Sequence, residues 1–342
     1  MVITHNPQTG TYIHTCRRMF NSIPLPPSGM LPNRLGSRTV AALAVALLLV
    51  VAVAAGFYLT RGTGPSAPAA ASKIQVVAAE NFWGNLASQL GGTHVNVTSI
   101  VTDPNTDPHE YEPTSADARA ISDAKLVVVN GAGYDSWALK AISASNTPNQ
   151  KVLNVQEVAG QPIDANPHLW YSPYFVNDSV KAMYNDLVAI DPADTSYFHQ
   201  QYAALNSSLW QSYMSLEVQT KQQFGGAPVA ATEDIFVYMA NATGLKVVSP
   251  TGFMQAVAEG NDPAPQDVTT FQQLLQGGKS TVRLLVYNQQ TVTPLTESIK
   301  SLATQNQIPI TAVTETMPLN TTFQLWMQGE INSLTSSLNS KP

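Results

Sequence analysis

The hydrophobic and polar positions beyond residue 72 alternate between two patterns. Short apolar, β-branched runs such as Ile74–Ala78 and Val95–Val101 predict strands, and the amphipathic stretch Asn81–Leu90 between them predicts a helix that ends at a pair of glycines. Strands that alternate with helices are typical of βαβ units and a largely parallel sheet. We therefore predict a first α/β lobe over residues 73–190.

The next region, residues 191–224, has a helical pattern without strands. Its start at Asp191-Pro192 fits a helix, because proline is tolerated in the first turn, and the pattern continues to the glycines at 225 and 226. Strands and helices then alternate again over residues 225–342. The predicted fold class is α/β, with two parallel-sheet lobes joined by a long helix. A site is expected between the lobes, at the carboxyl ends of the strands.

An apolar segment precedes the lobes. Residues 40–60 form one uncharged apolar run, close to the ~20 residues that cross a bilayer. Two arginines lie just before it, and the positive-inside bias then places the rest of the chain outside the cell. We predict a cytoplasmic segment over residues 1–39, a transmembrane helix over residues 40–60 and a flexible tether over residues 61–72. These segments predict a single-pass protein of the cell membrane with an extracytoplasmic folded part. The alternative is a cleaved signal sequence and a secreted protein.

Composition narrows the chemistry that the folded part can perform. Residues 1–72 hold five arginines and no acidic residue, which leaves 12 basic and 23 acidic residues and a net charge of −11 in the remainder. This charge argues against a nucleic-acid partner. The single cysteine, Cys16, lies in the N-terminal segment, which excludes a disulfide framework and a cysteine-ligated metal in the lobes. A metal bound there must use histidine and carboxylate ligands.

Two histidines and one glutamate are the candidate ligands. His109 lies in a proline-rich loop after the strand that ends at Val101, and His168 lies in a second proline-containing loop at the far edge of the same lobe. Neutral imidazoles in rigid loops suit a transition metal. Glu233 follows the predicted strand Pro228–Ala231 of the second lobe, where it is placed to contribute a carboxylate from across the cleft.

Each candidate ligand also has a simpler interpretation. A single loop histidine is more often a surface or hydrogen-bonded residue than a ligand. Glu233-Asp234 also fits the first turn of a helix that begins at Ile235, where acidic residues interact favourably with the helix dipole, and spacing alone favours this interpretation. No nucleotide-binding glycine loop, nucleophile elbow or H-E-x-x-H helix is present to indicate other chemistry.

The two histidine motifs together resemble a known family. Asp107–Thr114 with Asp117, and Asn166–Trp170, are similar to motifs of the zinc/manganese solute-binding proteins of bacterial ABC transporters, and the resemblance extends from about residue 73 to the C-terminus. It implies two α/β lobes joined by a rigid backbone helix. It also implies one divalent metal ion between the lobes, held by ligands that fall on His109, His168 and Glu233 in this sequence.

The fourth ligand implied by the resemblance is missing from its expected place. This ligand is usually an Asp shortly after the strand equivalent to Leu284–Tyr287, but residues 288–293 contain no acid. Thr291 falls on the expected position, and Asn288, Gln290, a water molecule or no ligand are the alternatives. A His/His/Glu set without the anionic oxygen that favours manganese predicts Zn²⁺, with Mn²⁺ as the alternative.

The predicted function is capture of a divalent metal ion and its delivery to a membrane ABC permease by a membrane-anchored monomer, without catalysis. Two alternatives stay open. Two histidines, one glutamate and an open fourth position also describe a zinc-dependent hydrolase, which would need a general base beside the metal-bound water. Loss of the Asp also fits a surface adhesion or sensor protein with a degenerate metal site, which would bind metal only weakly.

Overall fold

The computed structural model describes residues 36, 41–42, 45–49, 51–53, 72–104, 106, 109 and 111–340. The chain divides into two compact units, Met1–Ala70 and Ala71–Pro342. In the first unit, the described residues from 41 to 53 are helical, and the rest of the predicted anchor, residues 40–60, lies outside the described residues. Among the helices that those ranges define, none is long and apolar enough to cross a bilayer.

The first lobe of the larger unit is built around a parallel four-stranded sheet. Its strands and helices are β1 (Ile74–Glu80), α1 (Asn81–Gly91), β2 (Val95–Val101), α2 (Ser115–Asp123), β3 (Leu126–Val129), α3 (Ser136–Ser145), β4 (Lys151–Asn154), α4 (Val155–Val158) and α5 (Pro173–Ile190). The strand order is β2-β1-β3-β4, and every neighbouring pair is parallel. The predicted alternation of strands and helices in a parallel sheet is confirmed.

The segment that connects the lobes is helical, but it is not one regular α-helix. A 3₁₀ turn at Pro192–Asp194 leads into α6 (Thr195–Leu209), a π-helical turn at Trp210–Met214 and α7 (Ser215–Phe224). The predicted start at Pro192 is correct. The side chain of Asp191 caps the 3₁₀ turn by accepting a hydrogen bond from the backbone N–H of Ala193. The π turn is a correction to the prediction of a single long helix, because side-chain periodicity alone does not reveal one extra residue in a turn.

The second lobe repeats the same architecture. Its elements are β5 (Pro228–Ala231), α8 (Val237–Ala242), β6 (Lys246–Val247), α9 (Thr251–Ala258), α10 (Pro265–Gln276), β7 (Leu284–Asn288), α11 (Pro294–Gln305), β8 (Ile310–Val313) and α12 (Phe323–Asn339). The strand order is β6-β5-β7-β8, again with parallel pairs only. The fold class predicted for the two lobes is therefore confirmed.

The sequence carries no start signal for one helix of the second lobe, α9. Its first turn follows Pro250 and has no capping side chain, so the usual start signal is missing. Phe253 of this helix is fully buried, and its ring lies 4.7 Å from that of Phe271 in a T-shaped contact. Tertiary packing rather than local sequence therefore stabilises α9.

Capping residues determine where the loops of the first lobe end. Thr114 and Asp117 form a reciprocal capping box at the start of α2. Ser172 caps α5 with its hydroxyl, and Pro173 occupies the first turn, where its missing N–H is not needed. The two histidine-bearing loops of this lobe thus lead into helices whose first turns are well defined.

The two lobes share one hydrophobic core. Buried side chains from both sheets and from the connecting helices belong to a single packed cluster. Phe82 of α1 packs with its ring centroid 4.5 Å from that of Trp170 and 6.0 Å from that of Trp326 on α12. Since large buried aromatic side chains contribute strongly to packing energy, elements of both lobes stabilise each other directly.

Helix α7 carries a carboxyl group inside this core. Glu217 is 3% exposed, and its Oε1 has no hydrogen-bond partner among the residues that the structure describes. Burial raises the pKa of Glu217 from 4.5 to about 9, so the folded protein holds this carboxyl in its neutral form at neutral pH while the unfolded chain ionises it. The associated stability is complete at acidic pH, below the unfolded pKa, and is lost as pH rises towards the folded pKa.

We expect Glu217→Gln to flatten the decline in stability between about pH 5 and pH 9, because glutamine is neutral in both states. The measurement is the urea midpoint of the full-length protein across this pH range. Glu157→Gln, at an exposed glutamate, is the matched control and keeps the wild-type slope. A Glu217→Gln slope equal to the wild-type slope would contradict the assignment of a neutral buried carboxyl group.

Candidate metal centre

The carboxyl ends of the two sheets open onto one cavity. Its volume is about 640 Å³, and its lining includes all three predicted site residues, His109, His168 and Glu233. Glu315, which follows β8, and Thr291, which follows β7, line the same cavity. The structure therefore brings the predicted residues to a common space and adds a carboxylate that the sequence analysis does not include.

Glu233 lies directly after β5 with an extended backbone, before a 3₁₀ turn at Asp234–Phe236. Glu233 thus occupies the cap position that the helix-start interpretation predicts, but its side chain makes no capping hydrogen bond. The residue is 2% exposed, and its Oε1 lacks a hydrogen-bond partner within the described part of the chain. Burial, followed by the charge of Glu315, raises the pKa of Glu233 to about 8.

His168 lies between Asn166-Pro167 and a 3₁₀ turn, and it is 2% exposed. Its Nδ1 lies 2.8 Å from Asn166 Oδ1, and its Nε2 lies 3.8 Å from Glu315 Oε1. Burial lowers the pKa of His168, but the hydrogen bond to Asp234 and the neighbouring carboxylates together raise it above its ordinary value. This imidazole is thus held among groups that favour a positive charge at its position.

His109 belongs to the loop between β2 and α2, and its side chain is exposed. Its ring packs edge-on against Tyr134, with 4.9 Å between the ring centroids. The ring of the same tyrosine lies 6.4 Å from the ring of His168, so Tyr134 is a neighbour of both histidines. Residues 105, 107, 108 and 110 of this loop lie outside the described residues.

Glu315 is the site residue that sequence reasoning missed. It lies two positions beyond the end of β8, and its side chain is 15% exposed. Its Oε2 accepts a hydrogen bond of 3.1 Å from Asn288 Nδ2, and its Oε1 faces His168. The available signal is its position, because Thr-Glu-Thr directly follows the apolar run of β8, at the edge of the sheet where ligands bind.

The amides considered as alternative fourth ligands are engaged with protein groups. Asn288 donates to Glu315 and to Thr291 Oγ1, at 3.1 and 3.0 Å, and accepts from the backbone N–H of Gln290. Gln290 Oε1 accepts from the backbone N–H groups of Glu315 and Thr316, at 2.6 and 3.0 Å. These two amides hold the Glu315 loop in place, whereas Thr291 lines the cavity.

A buried turn after β3 supports the site from the first lobe. Asp135, fully buried, accepts hydrogen bonds from the backbone N–H groups of Asn130 and Gly131, at 2.6 and 2.9 Å. Burial raises the pKa of Asp135 to about 6, and burial next to Asp135 raises the pKa of Glu80 well above its usual range. Asn130 Nδ2 in turn donates to the carbonyl oxygen of Pro167, at 2.8 Å, directly before His168.

The cavity has a strongly negative lining. Five carboxylates line it, together with two imidazoles, and the described lining residues contain no Lys or Arg. Glu259 and Asp164 are exposed, while Glu233 is buried. Across residues 72–104, 106, 109 and 111–340, no three His, Cys, Asp or Glu side chains are already close enough together to hold one metal ion. The negative charge of the lining and its imidazole and carboxylate groups nevertheless suit the cavity to a cation.

Comparison with known families assigns the chain to one of them. Residues 76–337 match the family model described as the zinc-uptake complex component A, periplasmic. This span is more than half of the chain, and the protein belongs to this family of metal ABC transporter solute-binding proteins. Members of the family bind solutes and are not enzymes, which sets the hydrolase alternative aside.

Two curated relatives illustrate the degree of similarity. The manganese ABC transporter substrate-binding lipoprotein PsaA of Streptococcus pneumoniae is 25% identical over 258 residues, which cover 69% of this chain and 79% of that protein. The manganese-binding lipoprotein MntA of Halalkalibacterium halodurans is 27% identical over 212 residues, which cover 59% of this chain and 68% of that protein.

Solved structures show the same fold. The periplasmic zinc-binding protein TroA from Treponema pallidum aligns with a TM-score of 0.65 at 18% identity, over 79% of this chain and all of that chain. A periplasmic metal-binding protein from Candidatus Liberibacter asiaticus aligns with the same TM-score of 0.65 at 17% identity, over 78% of this chain and all of the other. The likeness establishes the two-lobe fold.

Proposed function

We propose that this protein captures a divalent transition metal ion in the interlobe cavity and delivers it to a membrane permease. The ligands in this proposal are His109, His168, Glu233 and Glu315. The observation that carries it is Glu233, which lines the cavity and has a buried oxygen, Oε1, that lacks a hydrogen-bond partner among the described residues. A buried polar group of this kind is costly unless a ligand satisfies it.

The donor set suits a metal ion of the zinc and manganese class. Two imidazole nitrogens and two carboxylate oxygens match the four-coordinate N/O sites of zinc, and bidentate carboxylates extend the same set towards manganese. The sequence favours zinc because no acid follows the strand Leu284–Tyr287. Glu315 supplies an anionic oxygen from another loop, so this reason no longer applies. Zn²⁺ is still expected to bind more tightly than Mn²⁺, because affinities of N/O sites for divalent metals rise from manganese towards zinc.

The relatives support the class of cargo without selecting the ion. PsaA and MntA are named for manganese, and TroA is named for zinc. In our proposal a single chain is sufficient to bind the ion, because all four ligands come from one chain. The remaining alternative, an adhesion or sensor protein with a degenerate site, would be favoured by affinity for either ion in the millimolar range only.

We further propose that the folded part acts outside the cytoplasmic membrane and that residues 40–60 anchor it there. The curated relatives are named lipoproteins, which indicates retention by lipid in their case. In this chain the single cysteine, Cys16, lies before the apolar run and not after it. An apolar run of this length is a sufficient anchor if it spans the bilayer as a helix.

Loss of His168 should abolish tight metal binding. We expect the full-length protein to bind one equivalent of Zn²⁺ in calorimetry. Substitution of a residue that only supports a ligand lowers affinity by about 10–100-fold, and His168→Ala should lower it by more than that. His199→Ala, at an exposed histidine of α6, is the matched control and retains wild-type affinity. Wild-type affinity in His168→Ala would overturn the proposed site.

Glu315→Gln tests whether the fourth ligand comes from the loop after β8. An amide keeps the shape but loses the anionic oxygen, so Zn²⁺ affinity should fall by at least about tenfold. Glu259→Gln removes a carboxylate from the exposed part of the same cavity and is the control with a small effect. Thr291→Ala should also have a small effect. A larger loss in Thr291→Ala than in Glu315→Gln would return the fourth ligand to the loop after β7.

Membrane retention separates the two kinds of anchor. If residues 40–60 anchor the chain, Cys16→Ser leaves the protein in the membrane fraction after cell lysis and a carbonate wash, because a spanning helix needs no lipid. Release of Cys16→Ser into the soluble fraction, with wild type retained, would indicate a lipid anchor instead. Release of both proteins would indicate a cleaved signal sequence.

A further inference from the structure

Asn166 contacts both lobes at once. Its Oδ1 accepts hydrogen bonds from the backbone N–H of His168 at 3.0 Å and lies 2.8 Å from the Nδ1 of the same residue. Its Nδ2 donates across the cleft to the carbonyl oxygen of Asp234, at 2.6 Å. Tyr238 of α8 donates from its hydroxyl to the carbonyl oxygen of Asn166, at 2.9 Å. One carboxamide therefore joins a loop of the first lobe to the start of a helix in the second.

The orientation of this carboxamide follows from its partners. Rotating the amide by half a turn would place Nδ2 against the backbone N–H of His168 and Oδ1 against the carbonyl oxygen of Asp234. Both contacts would then pair two donors or two acceptors. The network is satisfied in one orientation only, which is the basis on which amide orientation is assigned.

This orientation also selects the tautomer of His168. Because the Oδ1 of Asn166 only accepts hydrogen bonds, the Nδ1 that faces it must carry the proton. Asp234 Oδ1, which also only accepts when ionised, lies 3.3 Å from the same nitrogen. In the neutral imidazole the lone pair then resides on Nε2, the nitrogen that faces Glu315 and the cavity. Outer-shell hydrogen bonds of this kind orient metal-ligating histidines.

We propose that Asn166 is a positioning residue that orients His168 for metal binding and at the same time ties this ligand to the second lobe. The inference rests on the proposed role of His168 as a ligand. Only a carboxamide performs both tasks, since it accepts from the imidazole and donates to the carbonyl oxygen of Asp234. A bound ion held by both lobes is released when they separate, and Asn166 opposes that separation next to His168.

Two substitutions at Asn166 separate the two tasks. Asn166→Asp keeps an oxygen for His168 but loses the donor to Asp234, so the tautomer should be retained while Zn²⁺ release to a chelator accelerates by about tenfold. The added negative charge by itself would slow release, so acceleration cannot come from charge. Asn166→Ala leaves Asp234 Oδ1 as the acceptor near Nδ1 of His168, so the tautomer preference should weaken and Zn²⁺ should be released up to about 100-fold faster.

The measurements use the full-length protein. Nitrogen chemical shifts of the His168 imidazole, followed without metal to alkaline pH until the neutral form is reached, report the tautomer. Stopped-flow transfer to a chelator reports the release rate. Tyr238→Phe, which loses only the bond to the Asn166 carbonyl, should keep the tautomer and release Zn²⁺ faster than wild type but more slowly than Asn166→Asp. Asn306→Asp, at a half-buried asparagine that donates to a helix carbonyl in α11, is the matched control.

The outcomes separate this inference from the proposed function. Wild-type tautomer and release rate in Asn166→Asp and Asn166→Ala would overturn the inference while leaving metal capture intact. Absence of Zn²⁺ binding in wild type would overturn the proposed function, and with it the role assigned to Asn166. If Asn166→Ala does not fold, Asn166→Asp and Tyr238→Phe still decide, because equal release rates in both and in Asn306→Asp would refute the tie between the lobes.

Discussion

Carboxylates in a partly buried cavity, with no Lys or Arg among the described residues that line it, are the constraint on which the site depends. Ionised carboxylates are costly to remove from water, and each must gain a proton, a hydrogen bond or a cation in compensation. The cavity between the lobes holds Glu233 and Glu315 close to His168, and no Lys or Arg is found among its described lining residues. Burial, followed by the charge of Glu315, raises the pKa of Glu233 to about 8, although His168 and Asn288 act in the opposite direction. A divalent cation would supply the missing compensation, and ligands from both lobes would hold it.

The fold explains how residues far apart in sequence reach this cavity. Each lobe is a parallel sheet, and loops that follow the carboxyl ends of parallel strands lie along one edge. His109 follows β2, Glu233 follows β5 and Glu315 follows β8. The shared hydrophobic core keeps the two edges facing each other, with Phe82 of the first lobe packed against Trp326 of the second. The ligands are thus carried by loops, while their relative placement comes from the packed elements beneath them.

Much of the architecture can be predicted from sequence because its signals are local. The alternation of β-branched runs with amphipathic stretches predicts both sheets, and Pro192 indicates the start of the connecting helices. The two histidine loops can be singled out by residue type and proline content, whereas Glu233 is a candidate through the resemblance to the solute-binding family, because spacing alone favours a helix start there. Helix α9 and the π turn at Trp210–Met214 leave no such signal, because one depends on burial of Phe253 and the other on a single extra residue within a helical run.

The fourth carboxylate shows where sequence reasoning stops. The residues after β7, where the resemblance implies an acid, are amides, threonines and a valine, while Glu315 lines the cavity from the loop after the neighbouring strand. Strands β7 and β8 pair in parallel with Asn288 opposite Val313, so the loops that follow them lie side by side. An acid on either loop therefore reaches the same space. That equivalence depends on strand order and register, which one sequence does not reveal.

The measurement that tests the central claim most directly is a crystal structure of the full-length protein with Zn²⁺ bound. We predict one ion in the interlobe cavity, with nitrogen ligands from His109 and His168 and oxygen ligands from Glu233 and Glu315, each at the about 2.0–2.2 Å typical of zinc. An ion bound elsewhere on the chain, or an ion in the cavity that contacts residues of one lobe only, would contradict the account.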